Sequence, residues 1–275
     1  MANAPKPTTV KKESSSASNL FATLVIPICI AIGVSIFIFV LGDANNFTDN
    51  NPENLPKQGN YAGMAYKGGP IVAILVGLLL MVIVFSVERM IVIGKATGKG
   101  NLDAFVKKIQ GLLNSGNITS AISECDKQEG SVANVIKSGL LKYSEMSADS
   151  TFDTERSVLA IQKDIEEATS LEMPMLEQNL TVIATLVSIG TLTGLLGTVT
   201  GMIKAFAGLA NSGAPDQAAL AVGISEALMC TATGIGTSTL AIIMYNILTS
   251  KIDKLTYAVD EAGFSIVQTY ASTHK

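Results

Sequence analysis

Between Gln217 and Ser250 the chain carries a single charged residue, Glu226. The surrounding run is apolar and longer than the ~20 residues that cross a bilayer. A carboxylate in such a run is costly to bury and marks a functional site. Burial disfavours its charged form, which leaves two uses open. Glu226 either takes up and releases protons, or it belongs to a fixed hydrogen-bond network that shapes a polar path. Thr198 lies about ten residues before the turn at Asn211–Asp216 and Glu226 about ten after it, so at 1.5 Å per residue both lie roughly 15 Å from the turn. They are therefore expected at matching depth on antiparallel neighbours, with Thr231 about 7 Å deeper. Thr181, Thr185, Ser188, Thr191, Thr193, Thr200, Thr233, Thr237 and Ser238 add hydroxyls to the same two runs. One hydroxyl can simply bond its own backbone. So many beside one carboxylate point to a hydrated path, with Thr198, Glu226 and Thr231 as its candidate wall. Lys204 is either a partner for Glu226 or a side chain that snorkels to the membrane surface.

Glycines accompany these groups. Gly190, Gly194, Gly197 and Gly201 share one helix face, and Gly223 and Gly234 flank Glu226. Between helices in lipid, small residues permit close backbone approach. That approach serves packing within one subunit or a tight interface around a central element. Other chemistries lack residues to perform them. There is no nucleophile–base pairing and no nucleotide fingerprint, and the one histidine, His274, argues against a metal centre. The expectation is a protein that is not an enzyme and uses no cofactor or metal. Cys29, Cys125 and Cys230 form no disulfide framework. Gly94-Lys95-Ala96-Thr97-Gly98-Lys99-Gly100 resembles a phosphate loop but lacks its spacing and its Ser or Thr. It reads as a basic membrane-surface linker. Asn46, Asn117 and Asn179 each begin an Asn-x-Thr triplet, a pattern common by chance.

The composition explains what must position these groups. Of 275 residues 48% are hydrophobic and 15% charged, with mean hydropathy +0.41, whereas soluble domains are about 25% charged. A net charge of -4 argues against nucleic acid as a partner. The pattern predicts an all-α polytopic membrane protein with four transmembrane helices and a helical cytoplasmic domain. Residues 1–19 are polar and expected to be disordered. Residues 20–41 form an N-terminal span, preferred over a cleaved signal peptide because the apolar run is about twice a signal core. A loop of little regular structure follows at 42–69, then a span at 70–93 and a helical domain at 94–179. Spans at 180–208 and 219–249 flank the turn at 209–218, and a tail occupies 250–275. Pro174 is a candidate kink. Lysine and arginine cluster in the N-terminal stretch, the 94–179 region and the tail. By the positive-inside rule these segments, and both termini, face the cytoplasm.

Gly194-Leu-Leu-Gly-Thr-Val-Thr-Gly201 and Gly223-Ile-Ser-Glu-Ala-Leu-Met-Cys-Thr-Ala-Thr-Gly234, in this order and joined by a short turn, resemble the signatures of the MotA/TolQ/ExbB proton-channel family. The ExbB/TolQ branch is the more similar. Ala205-Phe206, Tyr245-Asn246 and the stretch Asn134–Leu140 fit as well, so the resemblance covers roughly Ile71 to Leu255. Thr191 stands where the family usually has proline, and the span at 20–41 is additional to the branch's usual three. The resemblance implies a homopentamer in the bacterial inner membrane whose last two spans line a pore. It implies two copies of a single-span ExbD/TolR-like partner inside the ring, and a TonB-like protein beyond. That partner would carry the proton-accepting aspartate. Thr198 and Thr231 would pass protons to it, and Glu226 would tune the path or the packing. The activity implied is use of the proton motive force to energise TonB-dependent outer-membrane transport, with TolQ-like and gliding- or flagellar-type stators as alternatives. A structural scaffold is the reading from outside this class.

Overall fold

The computed structural model describes residues 14–149, 152–211 and 217–274, with side chains for 21–149, 152–208 and 220–274. Residues 1–13 and 212–216, which hold most of the polar N-terminal stretch and of the turn before the last span, lie outside the described residues. Every helix or strand element among the described residues is helical, and one isolated bridge pairs Phe47 with Pro56. Helix α1 is Ser14–Ile36 and closes in a π-helical turn at Phe37–Leu41; it begins inside the stretch expected to be disordered. Then come α2 (Tyr61–Lys67), α3 (Pro70–Thr97), α4 (Leu102–Asn114), α5 (Ile118–Gln128), α6 (Gly130–Ala148), α7 (Thr154–Glu177), α8 (Leu180–Asn211) and α9 (Gln217–Thr273). Four helical stretches, Phe21–Leu41, Pro70–Asn114, Thr154–Gly208 and Leu220–Thr273, contain runs long and apolar enough to cross a membrane. The chain is thus an all-α polytopic membrane protein. It divides into two compact units, one of Met1–Ile83 with Thr185–Ala241, the other of Val84–Ala184 with Ile242–Lys275.

In the first unit α1 and α3 meet where Gly33 and Gly77 leave no room for a side chain: a Cβ on Gly33 would lie 2.5 Å from the Gly77 nitrogen. The 42–69 segment is more ordered than its composition suggests. Short polar side chains supply the order by bonding backbone groups. Asn46 donates to the carbonyls of Val40 and Leu41, and Asn60 caps α2 by accepting from the Gly63 amide. Phe47 is fully buried, and the Tyr66 ring lies against both Phe37 and Phe47. Pro70 then opens α3, where its missing N–H and fixed φ suit the first helical position.

The second unit buries one face of each amphipathic helix. Phe105, Val106, Ile109 and Leu113 of α4 are buried, as are Val132, Val135, Ile136 and Leu140 of α6 and Ile161 and Ile165 of α7. Asn101, Asn117 and Asp153 cap α4, α5 and α7 through their side-chain oxygens. Asn117 therefore has a structural task in its triplet. Asn179 has another: at φ +63° it breaks the chain between α7 and α8. Pro174 lies in the last turn of α7, close to that break. The Gly94–Gly100 stretch packs closely. Gly98 (φ +76°) abuts the carbonyls of Gln128 and Glu129, and the Lys99 amide donates to the Gln128 carbonyl at 2.6 Å. The span at 219–249 and the tail at 250–275 form one helix, α9. No Gly or Pro interrupts Ala241–Ala262, so nothing ends the helix there.

Candidate functional site

The candidate residues lie on α8 and α9, within the first unit. Close contact between α8 and α9 comes from the glycines. A Cβ on Gly234 would lie 2.7 Å from the Gly190 carbonyl oxygen and 2.8 Å from the Gly194 Cα. One on Gly201 would lie 2.8 Å from the Gly223 carbonyl oxygen, one on Gly223 2.7 Å from the Ala205 Cβ, and one on Gly197 would strike Cys230. These contacts set the register. Gly201 lies opposite Gly223 and Ala227, and Gly190 opposite Gly234 and Ser238.

In that register Glu226 is level with Gly201, and Thr198 lies about one helical turn, roughly 4.5 Å, further along. The two groups face different neighbours. Glu226 is 7% exposed, on the same face as the buried Ala227, Cys230 and Gly234. Its Oε1 accepts from Lys204 Nζ of α8 at 2.5 Å. Gly69, at φ +75°, lies beside the same oxygen: a Cβ there would lie 2.5 Å from Oε1 and 3.7 Å from Lys204 Nζ. Beside it Cys230 Sγ donates to the Gly68 carbonyl at 3.2 Å. Lys204 is therefore an ion-pair partner and not simply a snorkelling side chain.

The hydroxyls are held by their own helices. Thr198 donates to the Leu195 carbonyl at 2.6 Å and Thr231 to that of Ala227 at 3.1 Å. Thr200 donates to Gly197, Thr233 to Met229 and Thr237 to Thr233. A hydroxyl-to-hydroxyl link crosses between the helices where Thr191 donates to Ser238 at 2.9 Å. Thr198 is half-buried on a flank whose neighbours Leu195, Val199 and Met202 are exposed. Thr231, also half-buried, is level with Gly194. The structure thus brings Glu226 to Lys204 and Gly69, and leaves Thr198 and Thr231 bonded along their own helices.

The sequence offers Lys204 as a partner for Glu226, one of its two alternatives, but two other residues with structural weight escape a reading of the sequence. Gly69 could be suspected only as part of a Gly-Gly-Pro turn. Arg89, in the second unit, lies where the sequence marks only the end of a span. It is 2% exposed, with its guanidinium paired to Glu88 and donating from Nη1 to the Met175 carbonyl at 3.0 Å. Among the described residues no group of three or more His, Cys, Asp or Glu side chains could hold a metal.

Residues 127–261 match the model of the MotA/TolQ/ExbB proton channel family. Among curated proteins, the Tol-Pal system protein TolQ of Pseudomonas aeruginosa is 28% identical over 157 residues, 57% of this chain and 68% of that protein. The biopolymer transport protein ExbB of Pseudomonas putida is 28% identical over 155 residues, 53% of this chain but 44% of its own length. A putative ExbB-like biopolymer transport protein of Synechocystis is 31% identical over 88 residues, 42% of its length. The family match leaves α1, α2 and α3 outside it and takes in all of α8 and most of α9. The helices that carry Gly194–Gly201 and Gly223–Gly234 therefore lie in the matched region, and over that region the chain is similar to the MotA/TolQ/ExbB proton channel family.

Proposed function

We propose that this chain is the proton-channel subunit of an inner-membrane motor complex that uses the proton motive force to energise TonB-dependent outer-membrane transport. The observation that carries the reading is the close α8–α9 pair, which holds the Glu226–Lys204 ion pair and a series of hydroxyls inside two mainly apolar spans. In the proposed assembly five copies form a ring, and α8 and α9 line its pore. Two copies of a single-span ExbD/TolR-like partner pass through it and supply the proton-accepting carboxylate. A TonB-like protein receives the work, and membrane lipids cover the outer apolar flanks. Thr198 and Thr231 donate along their own helices, which leaves hydroxyl lone pairs free to accept from a passing proton carrier. Each proton that crosses 100 mV releases about 2.3 kcal/mol. Both termini and the 94–179 region face the cytoplasm in this reading.

A TolQ-like role is the second reading, favoured by the longer coverage of TolQ, 68% against 44% for ExbB. Co-purification separates the two by the single-span protein that accompanies the chain, and by its ratio. The channel reading itself is tested by Glu226→Ala and Thr198→Ala. Both proteins should assemble with the partner and lose proton-driven activity. Full activity in both would leave only a scaffold.

A further inference from the structure

The Glu226 carboxylate is buried, yet the lysine that neutralises it is not: the Lys204 side chain is 56% exposed while that of Glu226 is 9% exposed. The Gly68–Gly69 turn, which ends the 42–69 segment just before α3, lies beside the carboxylate. Gly69 holds a positive φ that L side chains rarely adopt, and its α-carbon hydrogens lie where any side chain would strike Oε1. The turn is held in place on both sides. The Gly68 carbonyl accepts from Cys230 Sγ, one turn beyond Glu226 on α9. A Cβ on Gly68 would come within 3.3 Å of the Met229 Cβ. On its other side the turn continues into α2, anchored by Tyr66 against Phe37 and Phe47.

We propose that Lys204 and the Gly68–Gly69 turn are positioning elements for Glu226: the lysine holds the carboxylate turned inward by their ion pair, and the turn is a lid that closes it off. The proposal assigns a task to the segment before α3, which lies outside the family match. It rests on the reading of Glu226 as part of a proton-conducting wall, and specifies how access to that residue is controlled. A carboxyl that has lost its ion-pair partner and its cover is no longer held in one place and is open to attack by an apolar carbodiimide.

The test uses the full chain in nanodiscs. Dicyclohexylcarbodiimide labelling of Glu226 is followed by peptide mass spectrometry at neutral pH. Unmodified protein should label slowly. Lys204→Gln should label at least ten-fold faster, and Lys204→Arg should restore protection. Gly69→Ala should also label faster, because the added methyl displaces the turn or the carboxylate. Labelling of the unmodified protein as fast as of Lys204→Gln overturns the proposal, as does equal labelling of the arginine and glutamine variants. Proton-driven activity of the complex is measured in parallel. If labelling behaves as expected while Lys204→Gln and Glu226→Ala both keep full activity, the lid stands and the channel role of Glu226 falls.

Discussion

Gly234 and Gly236 lie on the same helix two positions apart, and the structure gives them opposite surroundings. A methyl added at Gly234 would meet backbone, 2.7 Å from the Gly190 carbonyl oxygen and 2.8 Å from the Gly194 Cα. Backbone cannot rotate aside, so α8 and α9 would have to part by ~0.7–1 Å to restore ordinary contact. A gap of that size forfeits a quarter to a half of the dispersion energy at each facing contact. Overpacking of this kind costs about 1–3 kcal/mol. At Gly236 the same methyl meets nothing within 4 Å, and alanine is favoured over glycine inside a helix by about 0.5–1 kcal/mol. The propensity gain is common to both variants, so Gly234→Ala should destabilise relative to Gly236→Ala by the overpacking cost, a separation of about 1–3 kcal/mol. Thermal unfolding of the two full-length variants in the same detergent, followed by helical circular dichroism, measures it. Equal shifts for both variants, or a greater loss for Gly236→Ala, would refute the close approach of the two helices.

Other consequences are as direct. Burial pushes the Cys125 thiol up to about 12, so it should resist maleimide at pH 7–8 in the folded chain and react at once on unfolding. Arg89→Met should destabilise by about 2–4 kcal/mol, since it strips Glu88 of its counter-charge in a largely buried place. Arg89→Lys should recover little of this in chemical denaturation, because an ammonium cannot reproduce the guanidinium's fork. Hydrogen bonds from Lys108 and Lys127 hold the Glu124 carboxyl below its usual range. A depressed folded-state value means that the stabilisation is present above the unfolded-state value and lost as pH falls through the folded one. The melting-temperature difference between the parent and Glu124→Gln should therefore persist at neutral pH and vanish in acid.

Much of the architecture is local and so can be read from the residues in order. Leu102, Phe105, Val106, Ile109, Leu112 and Leu113 recur at helical spacing, and four of the six are buried in α4. Low charge and long apolar runs mark the spans, and the glycine spacing of α8 marks a face without side chains. Segment 42–69 misleads a compositional reading. Its asparagines and glycines suggest an irregular loop, but Asn46 and Asn60 bond backbone groups and Phe47 forms a small core.

The sequence by itself therefore determined the helices, the spans, the lone carboxylate and the family signature, because each depends on residues a few positions apart. Which groups meet depended on the register between helices far apart in the chain, and only the tertiary structure decided that. It turned Glu226 toward Lys204 and the Gly68–Gly69 turn, about one helical turn from Thr198. The physical reason is the glycine face. Without side chains to hold them apart, α8 and α9 slide to the one register in which their backbones interlock. That register fixes what the carboxylate touches.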